Sequence, residues 1–134
     1  GVHTASLAGH SAGATIICQI LDNQATSFGE TPKFETCFLM AGVYSIKELL
    51  DEYPAYIDFI GEAFSEDQYS STKYEFTGKE IPKLVIIESF EDELISSRQA
   101  QWFRGYLDGQ NITFNYSAGK WGKHEEMYRR VELF

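Results

Sequence analysis

The first 21 residues constrain the fold of this chain more than any other segment. Gly-His-Ser-Ala-Gly occupies residues 9–13, after an apolar run that predicts a strand at 2–8 and before an amphipathic pattern that predicts a helix at 14–21. A serine at the tip of such a turn has a strained backbone, and we expect glycine on either side because larger side chains would collide with the neighbouring strand and helix. The pattern predicts a nucleophile elbow with Ser11 at its tip; the alternative is a fortuitous Gly-rich turn.

Strand and helix patterns alternate along the rest of the chain. Long apolar runs are typical of buried parallel strands, and their alternation with helices predicts an α/β fold with a mostly parallel sheet and helices on both faces. Ser45 and Glu48 predict a capping box at one helix, and Asp108-Gly109 is expected to end another. After the first strand and helix, we expect strands at 34–43, 83–89 and 111–116, and helical segments at 46–50, 55–64, from 96 or 97 to 107, and 125–134.

A serine hydroxyl needs a base that takes its proton, and His124 is the candidate base. It lies in the Gly-rich loop after the last predicted strand; the alternative is a surface histidine at a helix N-terminus. The other two histidines fit the role less well, because His3 lies in the first strand and His10 is expected to face away from the nucleophile and to pack.

The acid that orients the base is expected in the segment Glu91-Asp92-Glu93, which directly follows the strand at 83–89. The carboxyl ends of parallel strands meet at one edge of a sheet, so a carboxylate there lies on the same edge as the elbow. We favour Asp92 and expect both neighbouring glutamates to be solvated. The chain order Ser11, Asp92, His124 is the order of the α/β-hydrolase fold.

An oxyanion formed by attack of Ser11 would need backbone N–H donors, and Ala12 can supply one. The second donor in such folds comes from an upstream His-Gly-Gly type segment, which this chain does not contain. An elbow also normally follows several strands. We therefore expect residues 1–134 to be a single domain that corresponds to the C-terminal half of a larger hydrolase domain.

The segment at about 45–80 is a possible cap or pocket insertion, because it interrupts the regular alternation and carries several aromatic residues. These side chains could line a pocket, although core contacts within a cap are the simpler interpretation. The aromatic residues in question are Tyr53, Tyr56, Phe59 and Phe64.

Composition excludes several function classes. The net charge is -9, from 11 basic and 20 acidic residues, and no basic cluster accompanies the aromatic residues, which argues against nucleic-acid binding. No metal-binding or phosphate-loop spacing occurs, so we expect no metal and no cofactor. Cys18 and Cys37 are expected to be reduced, buried thiols. No apolar run is long enough for a membrane span and no signal pattern is present, so we expect a cytoplasmic protein without membrane contact.

Several segments together resemble the fungal kynurenine formamidases. They are the elbow, the sequence Gly-Val-Tyr-Ser-Ile-Lys-Glu-Leu-Leu at 42–50, the sequence Glu-Tyr-Pro at 52–54, and Ser-Phe-Glu-Asp-Glu-Leu at 89–94. The segment at 42–50 is more diagnostic than the elbow, which many esterases share.

The resemblance implies hydrolysis of N-formyl-L-kynurenine to L-kynurenine and formate, a step of tryptophan degradation toward NAD, without a cofactor and in a homodimer. It also implies that Ser11, Asp92 and His124 are nucleophile, acid and base, and that Tyr44 either lines the pocket or packs. The family has a His-Gly-Gly-x-Trp motif upstream of the elbow, so we expect the isolated chain to be inactive or poorly folded. The alternatives are a carboxylesterase with the same triad and a hydrolase-like module without catalysis.

Overall fold

The computed structural model describes residues 4–23, 33–66, 74–76 and 80–129. Predicted positions 2–3 of the first strand and 130–134 of the last helix lie outside these residues. The elements in chain order are β1 (Thr4–His10), α1 (Ala12–Asn23), β2 (Lys33–Met40), α2 (Ile46–Glu52), a 3₁₀ helix (Pro54–Tyr56), α3 (Ile57–Ala63), β3 (Lys83–Ser89), α4 (Ser97–Gly109), β4 (Asn115–Gly119) and a second 3₁₀ helix (Met127–Arg129).

The four strands form one parallel sheet in the order β1-β2-β3-β4, which confirms the predicted α/β architecture. The ladder continues one residue past the carboxyl end of three strands. The N–H of Ser11 donates to the Met40 carbonyl at 2.8 Å, Ala41 to Ile87 at 3.0 Å, and Phe90 to Gly119 at 2.9 Å. These bonds fix the turns that follow β1, β2 and β3 at one edge of the sheet.

Apolar side chains cover both faces of the sheet. Alternate residues of a strand point to opposite faces, so Cys37 and Leu39 join the larger cluster with α1 and α4, while Met40 joins a smaller cluster with Ile87 and Met127. Cys18 and Cys37 are buried free thiols, as predicted. Burial raises the pKa of the Cys37 thiol to about 11, so it is protonated at neutral pH and packs as a small apolar group.

The last predicted strand begins later than the sequence pattern indicates. Asn111 adopts a left-handed conformation (φ 57°), and the N–H of Ile112 donates to the Leu107 carbonyl at 3.0 Å, so residues 110–112 still belong to the end of α4. Asn111, and not Gly109, therefore supplies the left-handed residue that follows the helix. At the other end of the sheet, β1 extends to His10 and leads directly into Ser11.

Only half of the predicted capping box forms at α2. The Ser45 hydroxyl accepts from the Glu48 N–H at 3.2 Å, as expected. The Glu48 carboxylate, however, binds Nε of Arg98 on α4 at 2.7 Å. The N–H of Ser45 donates instead to the side-chain oxygen of Gln99 at 3.0 Å.

Gln99 holds the segment between β2 and α2 with three hydrogen bonds. Its buried amide accepts from the N–H groups of Tyr44 (2.8 Å) and Ser45 (3.0 Å) and donates to the Ser45 carbonyl (2.9 Å). The side chain thereby satisfies backbone groups that could not reach water.

Replacing Gln99 by alanine should destabilise the fold strongly. Gln99→Ala leaves the buried N–H groups of Tyr44 and Ser45 unpaired, and we expect the free energy of unfolding to fall by at least about 2 kcal/mol. Gln101→Ala is the matched control, because Gln101 is exposed on the same helix, and surface changes stay within about 0.5 kcal/mol. Urea unfolding of both variants in the full-length gene product measures the difference; equal stabilities would contradict the assigned role.

Candidate active site

The turn at Ser11 has the geometry of a nucleophile elbow. Ser11 has φ 55°, a left-handed conformation that residues other than glycine rarely adopt. A Cβ at Gly9 would lie 2.5 Å from the backbone carbonyl carbon of Gly13, so the end of β1 and the first turn of α1 approach too closely for any side chain. The expectation for Gly13 itself is wrong, because a Cβ there would meet no described atom within 4 Å.

The two glycines should therefore respond differently to substitution. Gly9→Ala forces an overlap between two backbone segments, and we expect a loss of about 1–3 kcal/mol of stability or more. Gly13→Ala places a methyl group in open space within a helix and should be neutral or stabilising by up to about 1 kcal/mol. Thermal unfolding of the two variants checks this contrast; equal effects would show that the elbow geometry is wrong.

Asp92 and His124 form a buried pair. Oδ2 of Asp92 lies 2.8 Å from Nδ1 of His124, and the two side chains are 2% and 4% exposed. Oδ1 of the same carboxylate accepts from the N–H groups of Leu94 and Ile95, each at 2.9 Å, which fixes its orientation. An ionised carboxylate can only accept, so Nδ1 of His124 is the donor to it; in the neutral imidazole Nε2 is then the acceptor.

Ser11 and this pair lie at the same edge of the sheet, but the structure joins only Asp92 and His124 directly. Within the described part of the chain, the Ser11 hydroxyl makes no hydrogen bond to His124. Its chain neighbour His10 does contact the base: the two imidazole centroids are 4.6 Å apart, and Nε2 of His10 lies 2.6 Å from the His124 carbonyl oxygen. The expectation that His10 faces away is therefore wrong in this respect, although its ring does pack, 4.9 Å from that of Tyr128.

The two glutamates beside Asp92 are exposed, as predicted, but each also makes a hydrogen bond to the loop that carries His124. The Glu91 carboxylate accepts from the N–H of Gly122 at 3.0 Å, and the Glu93 carboxylate accepts from the N–H of His124 at 3.1 Å. Sequence reasoning treated them only as competitors of Asp92. The sequence feature that could have revealed these bonds is the run of three acidic residues directly after a strand end, opposite a loop whose backbone N–H groups need acceptors.

Ser89, the last residue of β3, also binds the loop that carries the base. Its hydroxyl donates to the Gly122 carbonyl at 2.6 Å and accepts from the N–H of Trp121 at 3.1 Å. The segment 121–124 is thus held by side chains from 89 to 93, and the base has a defined position without any regular secondary structure of its own.

The remaining predicted site residues have different surroundings. Ala12 is the first residue of α1, where a helix leaves its N–H groups without an internal acceptor. Tyr44 is 2% exposed and its ring stacks on Phe103 at 4.2 Å, so it packs in the core, and burial raises its pKa well above the usual value. A Cβ at Gly42 would lie 2.4 Å from the Tyr44 ring, which explains the glycine there.

Three aromatic residues of the 45–80 segment, Tyr53, Tyr56 and Phe59, form a row. Ring centroids are 5.1 Å apart for Tyr53 and Tyr56, and 5.3 Å apart for Tyr56 and Phe59. Phe59 is 58% exposed and Phe64 is also exposed, so the interpretation as core contacts is wrong for these two side chains. That the row lines a pocket stays a prediction.

Across the residues that the structure describes, no group of three or more His, Cys, Asp or Glu side chains is placed to hold a metal ion. A separate search of the same residues finds no helix with the length and apolar character needed to cross a membrane.

Sequence comparison identifies the relatives of this chain. It is 32% identical to the kynurenine formamidase of Meyerozyma guilliermondii over 98% of its length, and 33% identical to that of Eremothecium gossypii over 99%. The chain is therefore similar in sequence to kynurenine formamidases. It spans 56% and 61% of the length of these two relatives. No protein-family model matches the chain.

Solved structures with the same fold as this chain include an esterase and an S-formylglutathione hydrolase. Esterase B from Lactobacillus rhamnosis superposes with a TM-score of 0.75 at 15% identity, over 98% of this chain and 50% of the other. An S-formylglutathione hydrolase from Staphylococcus aureus superposes with a TM-score of 0.65 at 22% identity, over 96% and 50%. The predicted fold and the family resemblance are both confirmed.

Proposed function

We propose that the protein containing this chain hydrolyses N-formyl-L-kynurenine to L-kynurenine and formate with Ser11, Asp92 and His124. The observation that carries the proposal is the buried Asp92–His124 hydrogen bond of 2.8 Å at the sheet edge that presents Ser11, in a chain similar in sequence to kynurenine formamidases. The left-handed conformation of Ser11 supports the role of nucleophile, because it places the serine at the tip of the turn.

In the first half of the reaction, the Ser11 oxygen attacks the formyl carbon while Nε2 of His124 takes the hydroxyl proton. The carbonyl π electrons move to oxygen and form a tetrahedral oxyanion. When the oxyanion collapses, the bond from carbon to the aryl nitrogen breaks, and the imidazolium of His124 returns its proton to that nitrogen. Kynurenine leaves with a neutral amine, and the formyl group remains as an ester on Ser11.

In the second half, His124 takes a proton from water, and the resulting hydroxide attacks the formyl ester. Collapse of the second oxyanion breaks the bond to Ser11, which recovers its proton from His124. The product leaves as formic acid, which loses its proton to the solvent and becomes formate. Asp92 stays ionised throughout. Its carboxylate holds the Nδ1 proton and stabilises the imidazolium that forms in each half.

The oxyanion of each half-reaction would be stabilised by the N–H of Ala12 at the start of α1. This group has no acceptor within the helix, and the helix N-terminus adds a partial positive charge. Removal of one such donor costs about 3 kcal/mol of transition-state stabilisation in hydrolases, so this group should contribute substantially to the rate.

The aromatic row of Tyr53, Tyr56 and Phe59 supports an aryl substrate, because aromatic side chains offer faces on which an aryl ring can stack. We further propose that the protein works without a cofactor, as a homodimer in the cytoplasm, in tryptophan degradation toward NAD. The pathway follows from the names of the relatives, the homodimer and the lack of a cofactor from the family resemblance, and the cytoplasmic location from the sequence analysis.

Loss of Ser11 should abolish the reaction. We expect Ser11→Ala, in the full-length gene product, to lower kcat for N-formyl-L-kynurenine by about 10⁴-fold or more, because no other group can form the acyl intermediate. Ser117→Ala is the matched control, since Ser117 lies in β4 and its hydroxyl makes no hydrogen bond among the described residues; its kcat should be unchanged. Turnover is followed by release of formate.

Two results would contradict the proposal. Retention of formamidase activity in Ser11→Ala would exclude Ser11 as the nucleophile. Rapid hydrolysis of a simple aryl ester by the unaltered protein, with no hydrolysis of N-formyl-L-kynurenine, would identify a carboxylesterase instead.

A further inference from the structure

Among the described residues, His124 has a hydrogen-bond partner at every polar group except Nε2. Its Nδ1 donates to Asp92 (2.8 Å), its backbone N–H donates to the Glu93 carboxylate (3.1 Å), and its carbonyl oxygen accepts from Nε2 of His10 (2.6 Å). The three partners come from two separate places in the fold, the end of β1 and the turn after β3. The one ring atom left over is the atom that would take the proton of Ser11.

The hydrogen bond from His10 to the His124 carbonyl shows which nitrogen of the His10 ring carries a proton. A backbone carbonyl can only accept, so Nε2 of His10 must be the donor. His10 directly precedes Ser11, whose own N–H is fixed to the Met40 carbonyl at 2.8 Å. The elbow and the loop that carries His124 are thus connected through one side chain.

The hydrogen bond to Glu93 holds the backbone N–H of His124, as the bond from His10 holds its carbonyl oxygen. A carboxylate that accepts from a backbone N–H makes a charge-assisted hydrogen bond, which is stronger than a neutral one. Glu91 makes the equivalent bond to Gly122, two residues earlier in the loop. Residues 120–126 lie between β4 and a 3₁₀ helix, so these side chains, and not helical or sheet bonds, determine where the backbone of His124 lies.

We propose that His10 and Glu93 are positioning residues that hold the backbone of His124 so that Nε2 faces Ser11. The proposal rests on the proposed function only in taking His124 as the base. Neither residue donates to or accepts from the reacting groups in this arrangement. Each acts through the main chain of His124, which orients the imidazole together with Asp92.

Substitutions at Glu93 separate its hydrogen bond from its charge. Glu93→Ala removes both, whereas Glu93→Gln keeps an oxygen acceptor and removes the charge. Glu125→Ala is the matched control, because Glu125 is exposed, follows His124 directly, and makes no hydrogen bond among the described residues. We expect Glu93→Ala to lower kcat by about tenfold or more with little change in KM, since small displacements of a catalytic group cost that much. Glu93→Gln and Glu125→Ala should stay within about threefold of the unaltered protein.

Substitutions at His10 test the other bond in the same way. His10→Phe keeps a flat ring beside Tyr128 but cannot donate, whereas His10→Gln keeps an N–H donor. We expect a lower kcat for His10→Phe and recovery of most of that loss in His10→Gln. Thermal unfolding is measured for each variant, and a retained midpoint shows that a loss of kcat does not reflect unfolding.

The rate at which a fluorophosphonate labels Ser11 gives a readout that is independent of the natural substrate. Slower labelling in Glu93→Ala and His10→Phe, with recovery in the glutamine variants, supports the proposal. If this labelling pattern is found but N-formyl-L-kynurenine is not hydrolysed, only the proposed substrate is wrong. Unchanged labelling in both variants overturns it. So do equal losses in Glu93→Ala and Glu93→Gln, an effect on KM alone, or an unaltered protein that does not react at Ser11.

Discussion

The hydrogen bonds at the carboxyl ends of the parallel strands are the constraint on which the candidate site depends. The bonds from Ser11 to Met40, from Ala41 to Ile87, and from Phe90 to Gly119 continue the ladder beyond the strands themselves. These bonds therefore fix the point at which each of the three turns leaves the sheet. Ligands of open α/β sheets bind at this edge, and here it carries the serine at one strand and the acid at another.

This constraint alone does not position the base, because His124 lies in a loop after β4. The loop is held by side chains of β3 and of the turn that follows it: Ser89 and Glu91 bind at Gly122, and Asp92 and Glu93 bind at His124. A short acidic segment thereby does two things. It supplies the carboxylate that orients the imidazole, and it fixes the backbone from which the imidazole extends.

Much of this arrangement could be predicted from local sequence. The elbow is visible because its strand, its serine and its close backbone contact at Gly9 all lie within a few residues, and strand ends identify Asp92. Contacts between distant residues could not be predicted in this way. His10 contacts His124, which lies 114 residues later in the sequence. Arg98 on α4 binds the Glu48 carboxylate, which would otherwise complete the capping box. Local patterns also placed the start of β4 too early, because Asn111 extends the end of α4.

The central claim is that Ser11, Asp92 and His124 act as one unit, and a double-mutant cycle on kcat tests it most directly. In the full-length gene product, we expect Asp92→Asn alone to lower kcat by about 10⁴-fold, because the imidazole loses the partner that fixes its proton. In a Ser11→Ala background the same substitution should have no further effect, since groups that act together are strongly non-additive. Additive losses, or an Asp92→Asn variant with the original kcat, would contradict the account.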